Sequence, residues 1–284
     1  EMWKIIVRQP EYQRKPLDDN KSKGFLQRLG NCELVSQLPI ERIIHLTTIL
    51  PREYHLSMDT IIIIYHGSNK IIEKPRYGVG KPYNDYGLGF YCTKEIGLAK
   101  EWAVSEQQDG YANQYQLELN GLKVLDLSAK EYNILHWITI LLQNRLFDIQ
   151  SDFGEEAKKY LIESFDIGYE NYDVIVGYRA DDSYFSFAQD FLNNAISLRQ
   201  LSRAMYLGDL GKQIVLKSRK AFEQITFEDA IPAEARVWQP KKLMRDSKAR
   251  REYFESRREP WKKGEIYMMQ ILEEEMQADD TRLR

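Results

Sequence analysis

The sequence predicts an α+β fold with a core large enough for one large domain, and one observation supports each part of this prediction. Short β-branched and aromatic segments are interspersed with amphipathic helical segments, without the repeated strand-helix-strand rhythm of a doubly wound parallel sheet. The chain has 284 residues, of which 43% are hydrophobic, so it can bury a sizeable core as one large domain or as an ordinary domain with additions.

The first regular elements are expected to be a strand, a loop, a second short strand and a helix. Residues 60–65 contain four consecutive isoleucines and predict a buried strand. The Gly/Pro-rich stretch 75–89 predicts a loop, and residues 90–93 predict a short aromatic strand. A helix is expected to follow with Thr93 as its N-cap. The residues that would share its apolar face are Ile96, Ala99, Trp102 and Ala103.

The next segments predict a hairpin followed by a mixture of helices and strands. Residues 114–119 and 122–127 are joined by Asn120-Gly121, a dipeptide that favours a two-residue hairpin turn, so they are expected to form an antiparallel pair. The remaining expected elements are helices within 130–147, 155–165, 184–192 and 198–207 and strands at 172–178 and 212–218.

These patterns divide the chain into three regions. Residues 1–58 are poorly patterned and are interpreted as an N-terminal extension of unknown role. Residues 59–235 hold the regular elements and are interpreted as one domain. Residues 236–284 are strongly charged and predict a helical C-terminal region.

The composition argues against several classes of protein. No apolar run reaches the roughly 18 to 20 residues of a membrane span, and no signal-peptide pattern begins the sequence, so a cytoplasmic location and no membrane partner are expected. The two cysteines, Cys32 and Cys92, form no CxxC motif or Cys/His cluster, so neither a disulfide framework nor a metal site is expected. The formal charge of -3 gives no overall signature of nucleic-acid binding.

Local charge is different near the C-terminus. Residues 241–263 contain ten Lys/Arg against four Asp/Glu, interleaved with Tyr253, Phe254 and Trp261. One interpretation is a solvated helix that docks Tyr253 and Phe254. The other is a surface that contacts phosphates and stacks exposed bases.

A candidate site begins where the isoleucine run ends. His66, Gly67 and Ser68 follow the strand directly, Tyr91 closes the sequence "GLGFY", and Trp102 follows eleven residues later. A His, a Tyr and a second aromatic on two strands and a helix can form a slot for a planar ring, and glycines allow the backbone to approach it. The alternative for His66 alone is an ordinary hydrogen-bonded histidine at a strand end.

Three motifs carry a resemblance to a known family. "YHGS", "GLGFYCT" and "AKEWA" resemble the NAD-binding core of the ADP-ribosyltransferases related to diphtheria toxin and the poly(ADP-ribose) polymerases. Within that superfamily the chain resembles a bacterial ADP-ribosyltransferase-like domain family that is often encoded beside small antitoxin-like genes. The resemblance spans about residues 60–230 and includes "RADDSYF", residues 179–185. It implies two small antiparallel sheets that form an NAD cleft.

The resemblance also implies roles for five residues. His66 would hydrogen-bond the 2′-hydroxyl of the nicotinamide ribose. Gly67 would pair its backbone N–H and C=O with the carboxamide, and Ser68 would support that amide. Tyr91 would stack on the nicotinamide ring, and Trp102 would take the place of the second stacking aromatic, which is usually a Tyr.

The third catalytic position in this superfamily is commonly a Glu at the start of a late strand, and here the matching residue is Gln213. A glutamine oxygen can accept a ribose hydroxyl hydrogen bond, but it brings no negative charge and cannot act as a base. This departure argues against elongation into poly(ADP-ribose). The alternative for Gln213 is an ordinary residue at the start of a strand.

Other polar residues near these motifs have two interpretations each. Arg179 can contact the NAD pyrophosphate or orient an acceptor, whereas Asp182 or Ser183 can simply cap the following helix. Asn84 and Asp85 lie in the loop that would border the acceptor site, although their composition is also typical of turns.

The function expected from the resemblance is mono-ADP-ribosylation of a macromolecule, with NAD as substrate and no metal, by a bacterial toxin of a toxin-antitoxin or defence system. Nucleic acid is marginally preferred over protein as the acceptor because of the basic stretch, and an antitoxin is a possible protein partner. Two alternatives stay open. One is an NAD glycohydrolase, in which water replaces the acceptor, and the other is a module that binds NAD or ADP-ribose without turnover.

Overall fold

The computed structural model describes residues 61–149, 151–180, 182–204, 211–260 and 262–283, and for residues 182–185 it describes the backbone alone. The predicted N-terminal extension, residues 1–58, lies outside the described residues, as do Trp261 and the side chains of Asp182 and Ser183.

The described chain has an α+β fold with two small sheets and eight α-helices. The strands are β1 Ile61–Ser68, β2 Phe90–Cys92, β3 Gly110–Glu118, β4 Val124–Asp126, β5 Val174–Tyr178, β6 Lys212–Leu216 and β7 Ile225–Ala233. The helices are α1 Ile96–Ala103, α2 Ile134–Asn144, α3 Asp152–Phe165, α4 Asp182–Leu192, α5 Leu198–Ala204, α6 Arg219–Glu223, α7 Ala235–Arg257 and α8 Met268–Glu273. Within the described ranges, no helix has the length and apolarity to span a membrane.

The two sheets have different strand pairings. The first has the order β1-β3-β7 and is antiparallel throughout. The second has the order β2-β6-β5-β4, in which β4 runs parallel to β5, so it is mixed rather than antiparallel as the resemblance implied. The sheets are joined by one antiparallel bridge, where the N–H groups of Tyr65 and Thr93 each donate to the other's carbonyl at 2.8 and 2.9 Å.

The predicted hairpin around Asn120-Gly121 is wrong. The chain does turn there, with Gly121 at φ +71°, but the two strands lie in different sheets. Both edges of β3 are already taken, by β1 and by β7, so β4 has no free edge of β3 to pair with. The turn dipeptide therefore marks a passage between sheets, since turn chemistry selects the local conformation and not the strand partner.

The first strand differs from its prediction in length and in burial. It continues through Ser68, because β3 pairs with it as far as Ser68 opposite Tyr111, so the His-Gly-Ser triplet lies inside the strand. Its side chains alternate between a buried face with Ile64 and an exposed face, where Ile61 is 54% exposed. The four isoleucines are thus not buried together.

The helix after β2 begins later than expected. Its N-cap is Glu95, without a side-chain cap, while Thr93 is fixed in the strand by its bridge to Tyr65. The side chains that it buries are Leu98, Ala99, Glu101 and Ala103, while Ile96 is exposed and Trp102 half-buried. The apolar face expected from the spacing is therefore rotated, because a charged residue, Glu101, points inward.

The other expected helices and strands are present with shifted ends. Helix α2 and strands β5 and β6 are shorter than expected, whereas α3 and α4 begin at residues 152 and 182, earlier than expected. The end of the helix expected at 198–207 lies outside the described residues. Helix α2 has Asn133 as its N-cap, whose side chain accepts from the Leu135 N–H and forms a capping box with His136. Strand β7 was missed, because its sequence contains two acids and Pro232 and lies at a sheet edge, where both are tolerated.

The largest core cluster lies between the four-stranded sheet and the helices. Helix α2 is buried on almost every side, and its Trp137 and Phe191 of α4 are fully buried members of this cluster. The chain after residue 235 joins the same cluster. Its members there are Tyr253, Met268, Ile271, Met276 and Leu283.

Helix α1 is held from two directions. On one side it lies directly against β1 at Gly67, where an added Cβ would be 2.0 Å from the Ala99 carbonyl oxygen. On the other side Glu101, which is 4% exposed, forms a two-oxygen ion pair with Arg245 of α7, with both N–O distances at 3.0 Å. Helix α7 therefore neutralises a buried carboxylate next to Trp102.

Replacing Arg245 by Ala should be strongly destabilising. The substitution leaves the Glu101 carboxylate buried without its main cation, which typically costs about 3–5 kcal/mol. Urea unfolding measures the loss. The matched control on the same helix is Lys248→Ala, which breaks an exposed i,i+4 pair with Glu252 and should cost about 0.5 kcal/mol or less. Equal losses in the two variants would contradict the role assigned to this ion pair.

Replacing Gly67 by Ala should displace α1 from β1. The new methyl meets backbone atoms of Ala99 and Ala103 that cannot rotate away, and overpacking of this kind costs about 1–3 kcal/mol. Gly97→Ala, in the same helix, is the control, because its methyl meets only ordinary contacts with Trp238 and should stabilise by about 0.5–1 kcal/mol. Thermal unfolding of both variants tests the contact, and a neutral Gly67→Ala would refute it.

Candidate functional site

The candidate site is a gap between β1 and β2. Antiparallel pairing alternates along a strand, so the next residue of β1 to pair after Tyr65 would be Gly67, and its partner on β2 would be Tyr91. The bridge instead stops after Tyr65 and Thr93. The two strands diverge there, and the gap opens between Gly67 and Tyr91.

The ring of His66 occupies the point of divergence. Its Nδ1 lies 2.7 Å from the Tyr91 carbonyl oxygen, and the ring stacks on Phe90 at a centroid distance of 4.3 Å. The carbonyl can only accept, so Nδ1 carries the proton. Burial lowers the pKa of His66, although the hydrogen bond to Tyr91 opposes this. The neutral ring therefore presents Nε2 as a hydrogen-bond acceptor.

Gly67 offers an unused backbone donor and acceptor. Because the N–H and C=O of Tyr65 point away from β3, those of Gly67, two residues on, point the same way. Within the described part of the chain, nothing hydrogen-bonds with either group. The pair faces the gap, where a planar amide of a ligand can bind to both atoms.

Tyr91 lies across the gap, and its hydroxyl is engaged. The hydroxyl donates to the Gly87 carbonyl at 2.6 Å and accepts from the Tyr86 N–H at 3.1 Å, and burial raises its pKa. A Tyr91→Phe change would therefore keep the ring but remove both hydrogen bonds between the hydroxyl and the loop. The ring is the part available for stacking, but the hydroxyl has a structural role that the sequence did not indicate.

The glycines before Tyr91 approach other parts of the protein. An added Cβ on Gly89 would lie 2.6 Å from Val215, and one on Gly87, which has φ +68°, would lie 2.4 Å from Asn144. These contacts set the loop against β6 and α2, so they do not by themselves indicate a ligand.

Gln213 lies on the same face of the second sheet as Tyr91. Tyr91 is opposite Val215, and Gln213 is two residues before Val215 on β6, so the two side chains are diagonal neighbours. Gln213 is 5% exposed. Its Nε2 donates to Asp85 at 3.1 Å, while its Oε1 is buried without a hydrogen-bond partner among the described residues.

Asp85 is a buried carboxylate rather than an exposed turn residue. It is 5% exposed and accepts hydrogen bonds from the Ala180 N–H at 2.8 Å and from Gln213, and Arg145 Nε lies 3.3 Å from its other oxygen. Burial raises its pKa to about 6, against the opposing effects of Ala180, Arg145, Gln213 and Arg179.

Arg179 and Trp102 lie next to each other and complete the cluster of candidate residues around the gap. The guanidinium carbon of Arg179 lies 5.3 Å from the centre of the Trp102 ring, within the range of a cation–π contact. Trp102 Nε1 is buried and has no hydrogen-bond partner among the described residues. Since Gly67 lies against Trp102 and Arg179 acts electrostatically on Asp85, the predicted residues form one connected cluster.

Ser68 and Asn113 fix the chain that leaves β1. Ser68 Oγ accepts from the Lys70 N–H at 3.2 Å, so its hydroxyl shapes a turn. Asn113, fully buried opposite His66, donates to the Lys70 carbonyl at 3.1 Å and accepts from the Ile72 N–H at 2.9 Å. Sequence reasoning missed Asn113, although an amide among the inward residues of β3 was a usable signal.

The aromatic side chains of the basic stretch, residues 241–263, are less available for stacking on bases than the sequence indicated. Tyr253 is buried, packs its ring against that of Phe187 with the centroids 3.6 Å apart and hydrogen-bonds to Asp190, so it cannot stack on exposed bases. Phe254 is 55% exposed. The docking interpretation is therefore correct for Tyr253 and wrong for Phe254.

A separate cavity of about 610 Å³ lies at the other end of β2. Its lining residues are Thr93, Lys94, Glu95, Gly97, Leu98, Asp126, Val176, Gly211, Lys212, Ile214 and Arg245. The predicted site residues are not among them. In the described ranges, no group of three or more His, Cys, Asp or Glu side chains is placed to hold a metal ion.

Comparison with known proteins gives one match. A family model described as a protein of unknown function (DUF3990) matches residues 62–227, a segment that runs from β1 to the first residues of β7 and includes the whole four-stranded sheet and the whole cluster around the gap. No curated protein and no solved structure matches the chain. Because the match covers more than half of its residues, the chain belongs to the DUF3990 family.

Proposed function

We propose that this protein is an NAD-dependent mono-ADP-ribosyltransferase that binds the nicotinamide end of NAD in the gap between β1 and β2. The observation that carries the proposal is the unpaired N–H and C=O of Gly67 opposite Tyr91. A carboxamide has one acceptor and one donor in a plane, so it matches this backbone pair, and the adjacent Tyr91 ring can stack on the pyridine ring.

The polarity of the neighbouring atoms supports the same ligand. His66 Nε2 and Gln213 Oε1 are both acceptors, and a ribose supplies hydroxyl donors. Arg179, over the Trp102 ring, can pair with the pyrophosphate. A ligand that has an amide, a planar ring, hydroxyls and phosphates in series satisfies all of these groups.

The reaction that suits this arrangement proceeds with little covalent chemistry by the protein. The bond between ribose C1′ and the pyridinium nitrogen breaks, and its electron pair returns to the ring, which leaves as neutral nicotinamide. A nucleophile on the acceptor forms the new bond to C1′ and releases its proton. The protein contributes orientation of the ring and electrostatic stabilisation of the positively charged ribose.

The acceptor is proposed to be nucleic acid, although fewer residues support this than the sequence predicted, because Tyr253 is buried. Exposed cations of α7, such as Lys248 and Arg251, and the exposed Phe254 ring favour a phosphate backbone and an unstacked base. The setting of a toxin restrained by an antitoxin rests on the family resemblance alone.

Substitution of His66 tests the donor half of the reaction. His66→Asn keeps an N–H near the Nδ1 position but has no atom at Nε2, so nicotinamide release from NAD should fall by about a hundredfold or more while the fold is retained. Ile63→Ala, on the exposed face of the same strand, is the control and should release nicotinamide at the normal rate. An unimpaired His66→Asn would remove His66 from the mechanism.

Labelling of a cell lysate tests the acceptor. With NAD labelled in its adenylate group, the product should resist protease and disappear on nuclease treatment, and its yield should fall steeply as salt rises, since phosphate contacts release counterions. Lys248→Ala with Arg251→Ala should lower this labelling and leave nicotinamide release unchanged. Label confined to protein would overturn the nucleic-acid acceptor, and nicotinamide release without any label would favour the glycohydrolase.

A further inference from the structure

We propose that Asp85 is the positioning residue that makes Gln213 competent, so that the two side chains together replace the glutamate usual at this position. The inference rests on the proposed function and assigns to Asp85 the negative charge that Gln213 lacks. The structure places this carboxylate in hydrogen-bond contact with the glutamine, 128 residues away in sequence.

The chemistry of the contact fixes the glutamine amide. An ionised carboxylate only accepts hydrogen bonds, so it must receive the NH₂ of Gln213. The opposite end of the amide, Oε1, is thereby directed away from Asp85, and it is the atom that is buried without a partner. An unpaired buried acceptor is costly, and a ligand hydroxyl that donates to it would remove that cost. The observed orientation therefore favours a ribose hydroxyl at this point.

The surroundings of Asp85 explain how its charge is held. Arg145, after α2, and Arg179, after β5, are the cations that act on it, and the Ala180 N–H donates to it. Among the described residues, Asp85 also acts on the Tyr91 and Tyr86 hydroxyls, and both are held neutral because burial raises their pKa values. The carboxylate is thus shielded from water and stays in hydrogen-bond contact with Gln213, the residue proposed to bind a ribose hydroxyl.

This arrangement makes the orientation of Gln213 depend on pH. Protonated Asp85 becomes a donor and can turn the amide, so that NH₂ rather than Oε1 faces the ligand. With its pKa raised to about 6, Asp85 should impose an acidic limb near that pH on nicotinamide release. Stability should move in the opposite direction: because the folded pKa lies above the unfolded value, the contribution of Asp85 is full below about pH 4 and is lost as pH rises through about 6.

The experiment measures nicotinamide release from NAD by the full-length wild type, Asp85→Asn, Gln213→Glu and the double variant, from about pH 5 to about pH 7.5. Asp85→Asn should lower the rate at neutral pH by about tenfold to a hundredfold and remove the acidic limb near pH 6. The double variant returns a carboxylate to position 213, with an amide beside it that can donate, and should recover most of the lost rate. The unfolding temperature of each variant is measured as well, so that a loss of stability can be separated from a loss of rate.

Three results would contradict the role of Asp85. Asp85→Asn that keeps the wild-type rate and pH profile overturns the inference alone. An equal loss at every pH that the double variant does not recover, together with a lower unfolding temperature, also overturns it, because it shows a purely structural role. If the wild type releases no nicotinamide at all, the proposed function fails, and this inference fails with it.

Discussion

The site depends on the place where the backbone pairing of β1 with β2 stops. Tyr65 and Thr93 form a complete antiparallel bridge, and continuation of that bridge would close the two sheets onto each other. Instead, the His66 imidazole donates a hydrogen bond to the Tyr91 carbonyl, and the two strands separate at Gly67. One side-chain hydrogen bond thus leaves the Gly67 N–H and C=O without a partner among the described residues, so water or a ligand has to satisfy them.

The rest of the structure keeps this gap in shape. Gly67 lets α1 lie directly on β1, so Trp102 stands beside the gap, and the buried Glu101–Arg245 ion pair fixes the other side of the helix. On the second sheet, the Tyr91 hydroxyl ties the strand to the preceding loop, and that loop delivers Asp85 to Gln213. The chain after residue 235 is therefore linked to the site through α1, a link that the charged, helical pattern of its sequence did not indicate.

Local sequence signals predicted most of the elements and the His66-Gly67-Ser68 triplet of the candidate site, but not the long-range partners, so the Asn120-Gly121 hairpin was wrong and β7 was missed. The strand character of the isoleucine run and the motif around Tyr91 are properties of short segments, so they could be identified from the sequence. The alternation of buried and exposed side chains along β1 could not, because a run of four isoleucines shows no alternation. The pairing of β3 with β7 and the inward direction of Glu101 depend on residues more than a hundred positions away. The sequence alone leaves Asp85 as either a turn residue or a border of the acceptor site, because a short acidic loop has the same pattern whether its carboxylate meets water or Gln213.

The central claim is that the Gly67 backbone receives the nicotinamide amide, and NMR titration of the assigned Gly67 amide tests it most directly. NAD, and nicotinamide at higher concentration, should move the Gly67 amide proton downfield in a saturable way as it gains a carbonyl acceptor. Nicotinate, which has no NH₂ to donate to the Gly67 carbonyl, should bind more weakly. A Gly67 resonance that NAD leaves unchanged, while signals elsewhere respond, would contradict the account.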